Sequence, residues 1–310
     1  MQLKRATRNV ICWLLAITLI LLGYVKRAKR ESFQEGVITS IHFHNPNKKL
    51  FRGMVDWLKE NGYTFISCSE LMEVLDKKIP CPQGAVWISL DDGWKENIEN
   101  VIPIAVELDL PITIFICTSA IEDGVFWWER AKECAELFPT EYRGIETIRK
   151  LPGDVRHQIL EIINQNKTNS TSGRNAMTIG DIRHISTFPQ VTIGSHTVTH
   201  PFLSICTDFQ IDYELRESKR KLEEWTGKPV RTFAYPSGDF DDRTKQCLKE
   251  NRYELAATVI KNFATINSDC YLLPRTDVMD DGSLAENLCH ALGVWEPTIS
   301  KIKRIIRPRG

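Results

Sequence analysis

Ser89-Leu90-Asp91-Asp92-Gly93 is the stretch on which the fold and chemistry of this chain turn. The residues before it, Ala85-Val86-Trp87-Ile88, make an apolar run to Leu90 that predicts a short buried strand. Successive residues of a strand point to opposite faces, so Asp91 and Asp92 share one site only where the chain bends, and Gly93 permits that bend. One carboxylate can then hold a metal while its neighbour takes a proton. Asp-Asp-Gly is also an ordinary solvated turn, and the surrounding sequence decides between the two.

Outward from this stretch the chain alternates strand and helix. Upstream, Val37 to His44 predicts a strand ending at Asn45-Pro46, with His42 and His44 on one face. Phe51, Val55 and Leu58 then recur at helical spacing up to Asn61-Gly62. Tyr63 to Ile66 suits a strand, and Ser67 to Glu70 is a capping box opening the next helix. Downstream come a helical segment through Ile98, Ile102 and Val106 and a strand from Pro111 to Ile116. From about 126 to 190 the rhythm breaks, which predicts an insertion riding on the core, with 164–172 its least ordered part. The rhythm resumes with a strand from Val191 to Gly194 and a helix carrying Ile211, Leu215, Leu222 and Trp225, with Asp208 as its cap and Gly227 as its stop. A strand from Arg231 to Tyr235, a helix over 244–251, a strand over 255–259 and a helix over 284–292 complete the body. Short apolar strands separated by helices predict an α/β fold with parallel strands.

The formal net charge of zero hides an uneven distribution. Residues 1–30 and 301–310 carry twelve basic residues and no acid, leaving 28 basic against 40 acidic residues between them. An acidic body argues against nucleic acid as a partner. The nine cysteines are irregularly spaced with no CxxC, so neither a zinc knuckle nor a dense disulfide framework is expected, although one or two bridges would fit. After a short basic tail (1–9), Val10 to Val25 is almost wholly apolar with basic clusters on both flanks. No small-residue cleavage site precedes Lys26-Arg27-Ala28-Lys29-Arg30, so the segment is expected to be an uncleaved transmembrane signal anchor. A basic, polar linker (26–36), a body over 37–300 and a basic tail (301–310) follow. Three basic residues before the span and four after it do not orient it.

Three predicted strands end in chemistry: at Asp91 and Asp92, at His196 and His200 within Ser195-His196-Thr197-Val198-Thr199-His200-Pro201, and at Arg231 to Tyr235. In α/β barrels the C-terminal ends of strands share one mouth. Two histidines and a carboxylate leave a divalent ion with open positions, as in hydrolytic zinc sites and non-haem iron oxygenases. The spare carboxylate Asp91 favours a hydrolase, which needs a base beside its attacking water.

The ordered set Ser-Leu-Asp91-Asp92-Gly, Ser-His196-Thr-Val-Thr-His200-Pro and Arg231-Thr-Phe-Ala-Tyr235-Pro-Ser-Gly resembles the NodB-homology polysaccharide deacetylases, carbohydrate esterase family 4. Similarity extends from about Val37 to Leu292. The resemblance implies a distorted (β/α) barrel that removes acetyl groups from N-acetylated sugars with one divalent metal, zinc ahead of cobalt, nickel, manganese or iron. It makes Asp92, His196 and His200 the metal ligands and Asp91 the general base. Arg231 would pair with Asp91, and the Tyr235 backbone N–H would stabilise the oxyanion. Toward the C-terminus the pattern departs: Leu273-Pro274-Arg275-Thr276-Asp277-Val278 stands where an Asp-rich motif with tryptophan is expected, without the tryptophan. The general acid is His290, in Leu288-Cys289-His290, or His44 from the opposite side of the mouth. The implied setting is a surface polysaccharide or glycolipid precursor, processed outside the cytoplasm by a membrane-anchored enzyme alongside biosynthesis or export machinery. A hydrolase of another amide on the same barrel and a non-catalytic glycan-binding member are the alternatives.

Overall fold

A computed structural model of the chain describes residues 2–133, 136, 138, 140–151, 153–165 and 173–306. Among the described residues nine strands form one sheet: β1 (Val37–Phe43), β2 (Thr64–Phe65), β3 (Ala85–Leu90), β4 (Ile112–Ile116), β5 (Val191–Ser195), β6 (Thr232–Ala234), β7 (Leu255–Ala257), β8 (Ala264–Thr265) and β9 (Thr276–Asp277). Their order is β7-β6-β5-β4-β3-β1-β8, with β2 on β3 and β9 on β1, and every pairing except β1 with β8 is parallel. β3 and β4 are buried along their whole length, which is why their sequences are unbroken apolar runs instead of alternating ones. The result is a parallel α/β sheet curved into a half-barrel. Its two ends are joined by the segment 273–278: Leu273 bridges Ala257 of β7, Thr276 and Asp277 pair with Ile41 and His42 of β1, and the Val278 N–H donates to the His42 carbonyl. The expected distorted barrel is met in this form. The short strands β8 and β9 have no apolar run to announce them.

Helices cover the sheet where the spacing placed them, with local differences. The helix Asp208–Thr226 is capped by Thr207, whose side chain forms a capping box with Gln210, and not by Asp208; Gly227 ends it in the left-handed region (φ 68). The stretch 126–190 is largely helical, with segments at Trp127–Glu133, Ile145–Arg149, Gly153–Gln165 and Ile179–Ile185. Residues 166–172 of the expected least-ordered part, and 307–310 of the basic tail, lie outside the described residues. The eight described cysteines are all free.

The N-terminus departs most from expectation. Helix α1 (Gln2–Leu21) ends two residues before Gly23, which adopts φ 81, and α2 (Tyr24–Ser32) leaves at 70°. The expected span 10–25 therefore crosses a break, and most of the expected linker is helical. No single described helix is long and apolar enough to cross a membrane, although the bent pair passes by length and composition. α1 packs on the helix Leu284–Ala291: Arg8 is 2.7 Å from the buried Glu286 carboxylate, and Ala16 is buried beside Cys289. Its other face leaves Val10, Ile11, Trp13, Leu14 and Leu21 exposed.

Candidate active site

The C-terminal ends of β1, β3 and β5 and the loop after β6 open on one cavity of about 560 Å³, lined among others by His42, His44, Asp91, Asp92, Trp94, Trp128, His196, His200, Ser237 and Asp277. Asp92 reaches it by adopting φ 75, and Gly93 follows at φ 94. That bend sends both acids to one mouth, as the sequence required. His200 and Ser237 also sit in the left-handed region, at φ 56 and 55. Side-chain-bearing residues in this region are strained, and such strain persists where surrounding structure enforces it.

One oxygen of Asp92, Oδ2, accepts from the Trp94 indole N–H at 3.0 Å. The other, Oδ1, is buried without a hydrogen-bond partner and faces His196 Nε2 at 3.6 Å and His200 Nε2 at 3.7 Å. A buried carboxylate oxygen aimed at two imidazole nitrogens, with no proton donor of its own, is a donor set that fits a divalent cation. His196 Nδ1 donates to the Ala234 carbonyl at 2.7 Å, which fixes the tautomer and turns Nε2 toward the cavity. Burial holds the His200 pKa well below its ordinary value, so its ring is neutral and its lone pair available.

The loop carrying both histidines is braced from behind. Buried Glu214 accepts from the N–H groups of Val198 (2.7 Å) and Thr199 (2.9 Å) and from the Thr199 hydroxyl (2.6 Å). Arg156 donates to Thr199 Oγ1 and to the carbonyls of Thr199 and His200. Neither residue was expected from the sequence: Glu214 looks like any helical glutamate, and Arg156 lies in the insertion.

Arg231 does not reach Asp91. It sits half exposed at the start of β6, paired with Glu254 beside β7. The guanidinium on Asp91 belongs to Arg275, fully buried, whose Nη1 and Nη2 each lie 2.8 Å from one carboxylate oxygen. Further bonds to Ser89 Oγ and the Thr258 carbonyl lock it in place. Burial alone would raise the Asp91 pKa, but Arg275 outweighs it and holds the carboxyl well below the usual range. Arg275 and Asp277 stand two apart on the joining strand, a spacing that puts both on one face and was the available signal.

Tyr235 is corrected as well. Its backbone N–H donates to the Ala257 carbonyl within the sheet, and its hydroxyl donates to the Tyr271 carbonyl from a buried position. Two residues on, Ser237 is the member of that loop that lines the cavity. His290 is also remote: it stacks near Trp295 on the helix beneath α1 and lines a different cavity with Lys261 and Glu296. His44 lies at the mouth, 3.8 Å from Asp277. Burial would lower its pKa, but Asp92, Asp91, Asp277 and Asp280 together raise it.

Known proteins share this fold. The family described as polysaccharide deacetylase matches residues 147–256. A poly-beta-1,6-N-acetyl-D-glucosamine N-deacetylase of Staphylococcus aureus is 23% identical over 241 residues, 77% of this chain and 69% of that protein. Among solved structures, the Streptococcus pyogenes deacetylase PplD in complex with acetate superposes with a TM-score of 0.61 at 18% identity, covering 83% of this chain and 99% of that one. IcaB from Ammonifex degensii gives 0.60 at 16% identity, covering 84% and 98%. The class is that of hydrolases acting on non-peptide carbon–nitrogen amide bonds. Within it, the chain resembles the NodB-homology polysaccharide deacetylases, carbohydrate esterase family 4, in the matched segment 147–256 and in fold.

Proposed function

We propose that this polysaccharide N-deacetylase removes acetyl groups from a glycan of N-acetylglucosamine units, the kind of substrate named for its S. aureus relative. The observation that carries the reading is the unpartnered Asp92 Oδ1 facing two imidazoles, next to a second carboxylate kept ionised by Arg275. Asp92, His196 and His200 would hold one divalent ion, zinc by its preference for imidazole and carboxylate ligands. When bound, the ion supplies Lewis-acid polarisation of the acyl oxygen and of water.

Asp91 takes the proton of the water that attacks the acetyl carbon. Its fixed orientation on Arg275 sets the direction of that transfer. The Ser237 N–H, from a residue lining the cavity, would donate to the oxygen that gains charge as the carbonyl becomes tetrahedral. His44 delivers a proton to the departing sugar amine, and the carboxylates around it favour the protonated ring that this requires. Trp94 and Trp128 offer flat apolar surface along the cavity for a pyranose ring.

The N-terminal helices are proposed to hold the body at the membrane, outside the cytoplasm, where surface glycans mature. The exposed apolar face of α1 supports that placement.

The test is acetate release from N-acetylglucosamine oligosaccharides by the metal-loaded enzyme, with and without chelator. Acetate that appears only without chelator is the expected result; none from any N-acetylated oligosaccharide under metal-replete conditions rejects the reading.

A further inference from the structure

The cavity holds a second donor set that the deacetylation scheme does not use as such. His42, at the end of β1, is 1% exposed, lines the cavity and has no hydrogen-bond partner on Nδ1. Its Nε2 is 3.6 Å from Asp277 Oδ1, and His44 Nδ1 is 3.8 Å from the same oxygen. These separations match the 3.6 and 3.7 Å of the Asp92, His196 and His200 set. All are too long for hydrogen bonds and close to what donors about 2 Å from a common ion require. The pairing of β9 with β1 puts Asp277 directly beside His42, so strand register and not a mobile loop brings these groups together. The carboxylate grouped with both imidazoles within 4.8 Å is that of Asp91, but its two oxygens are taken by Arg275, which leaves Asp277, within 4 Å of each ring, as the free carboxylate.

We propose that His42, His44 and Asp277 form a second divalent-cation site, and that zinc bound there inhibits the enzyme. Two imidazoles and one carboxylate suit zinc in this set as in the first. Zinc on His44 takes the lone pair that would otherwise carry the proton for the leaving amine. The binding half of the proposal stands on geometry alone; the inhibitory half rests on the reading of His44 as the acid.

The test is equilibrium dialysis of the full chain, loaded with one equivalent of zinc, against rising free zinc, with elemental analysis and acetate release followed in parallel. A second equivalent is expected to bind more weakly than the first, with acetate release falling as it fills. His42→Gln and Asp277→Asn should each leave the first equivalent bound and raise the free zinc needed for the second at least tenfold. Half-inhibition of His42→Gln, relative to its own activity at low zinc, should move by the same factor. His157→Gln serves as control, since His157 is an exposed surface histidine beside Glu161. Thermal melts identify any variant that fails to fold, and the remaining one then decides. A single equivalent across the range, loss of the second in His157→Gln, or its unchanged affinity in the folded variants overturns the site. Two equivalents without any acetate release would sink the deacetylase reading and leave the site standing; acetate release with one equivalent and no zinc inhibition would do the reverse.

Discussion

Removing the guanidinium of Arg275 leaves the carboxylate of Asp91 buried with nothing to balance its charge. Breaking a buried pair from one side costs about 3–5 kcal/mol, so Arg275→Met should lose about that much in urea unfolding at neutral pH. The pH dependence should invert. In the native chain the Asp91 pKa is depressed, so the pair's contribution is full above the unfolded carboxylate value of about 4 and is lost as pH falls toward the folded one. In Arg275→Met burial alone acts and raises that pKa, so the variant should gain stability as pH falls, and the acid limb of acetate release should move to higher pH. Arg231→Ala removes only a half-exposed ion pair and should stay within about 0.5 kcal/mol of the parent with near-parental turnover. Asp91→Asn should keep its metal and lose about 100- to 10,000-fold in turnover. The same scale separates the two acid candidates: His44→Ala should lower turnover by about 100-fold with metal content intact, whereas His290→Ala should leave it near parental. His290 has a different signature. Burial, followed by Lys261, pushes its pKa down to about 4, so the unfolded chain binds the extra proton first and stability falls as pH drops from about 6.5 toward 4. His290→Gln should flatten that slope in a series of melts. Residues next to strand-end motifs, Asp91, Asp92, His196 and His200, were legible from sequence because their neighbours announce a strand and a bend. Arg275 was not, because its spacing from Asp277 marks a shared face but not the carboxylate it meets across the barrel.

At the scale of elements, the strands and most helices were legible because burial on both faces writes itself as apolar runs and caps write themselves as Ser, Thr and Gly. β8 and β9 were missed because two-residue strands carry no period. The loop between β5 and the helix Asp208–Thr226 shows how an element is made rigid from outside itself. Its shape depends on Glu214, about two turns into the following helix, which satisfies two backbone N–H groups of that loop. Glu214→Ala leaves these buried donors unpaired, at about 1–3 kcal/mol each. Its expected effect on function is a weaker hold on the metal, seen as a raised chelator sensitivity, with little change in the pH profile. Glu214→Gln, which keeps an acceptor oxygen, should recover part of the metal affinity.

Across the whole molecule, the N-terminal helices are proposed to set where the enzyme works. α1 is tied to the body through Arg8, Glu286 and Ala16 while its outer face stays apolar, a surface that lipid would cover. The full chain should remain with membranes after alkaline washing, and protease added to intact cells and spheroplasts should digest the body. Recovery in the soluble fraction would remove the membrane from the account, and protection from protease in both preparations would put the body inside the cytoplasm.

The segment that joins the two ends of the sheet is also the one that carries Arg275 and Asp277. During synthesis, Asp91, Asp92, His196 and His200 all leave the ribosome earlier, yet the base among them has no counter-charge until residues 273–277 arrive. A chain cut before residue 273 therefore keeps Asp91 but lacks the guanidinium that orients it. Closure of the sheet and charge balance at Asp91 are thus a single event: until β9 pairs with β1, that carboxylate stands without its guanidinium.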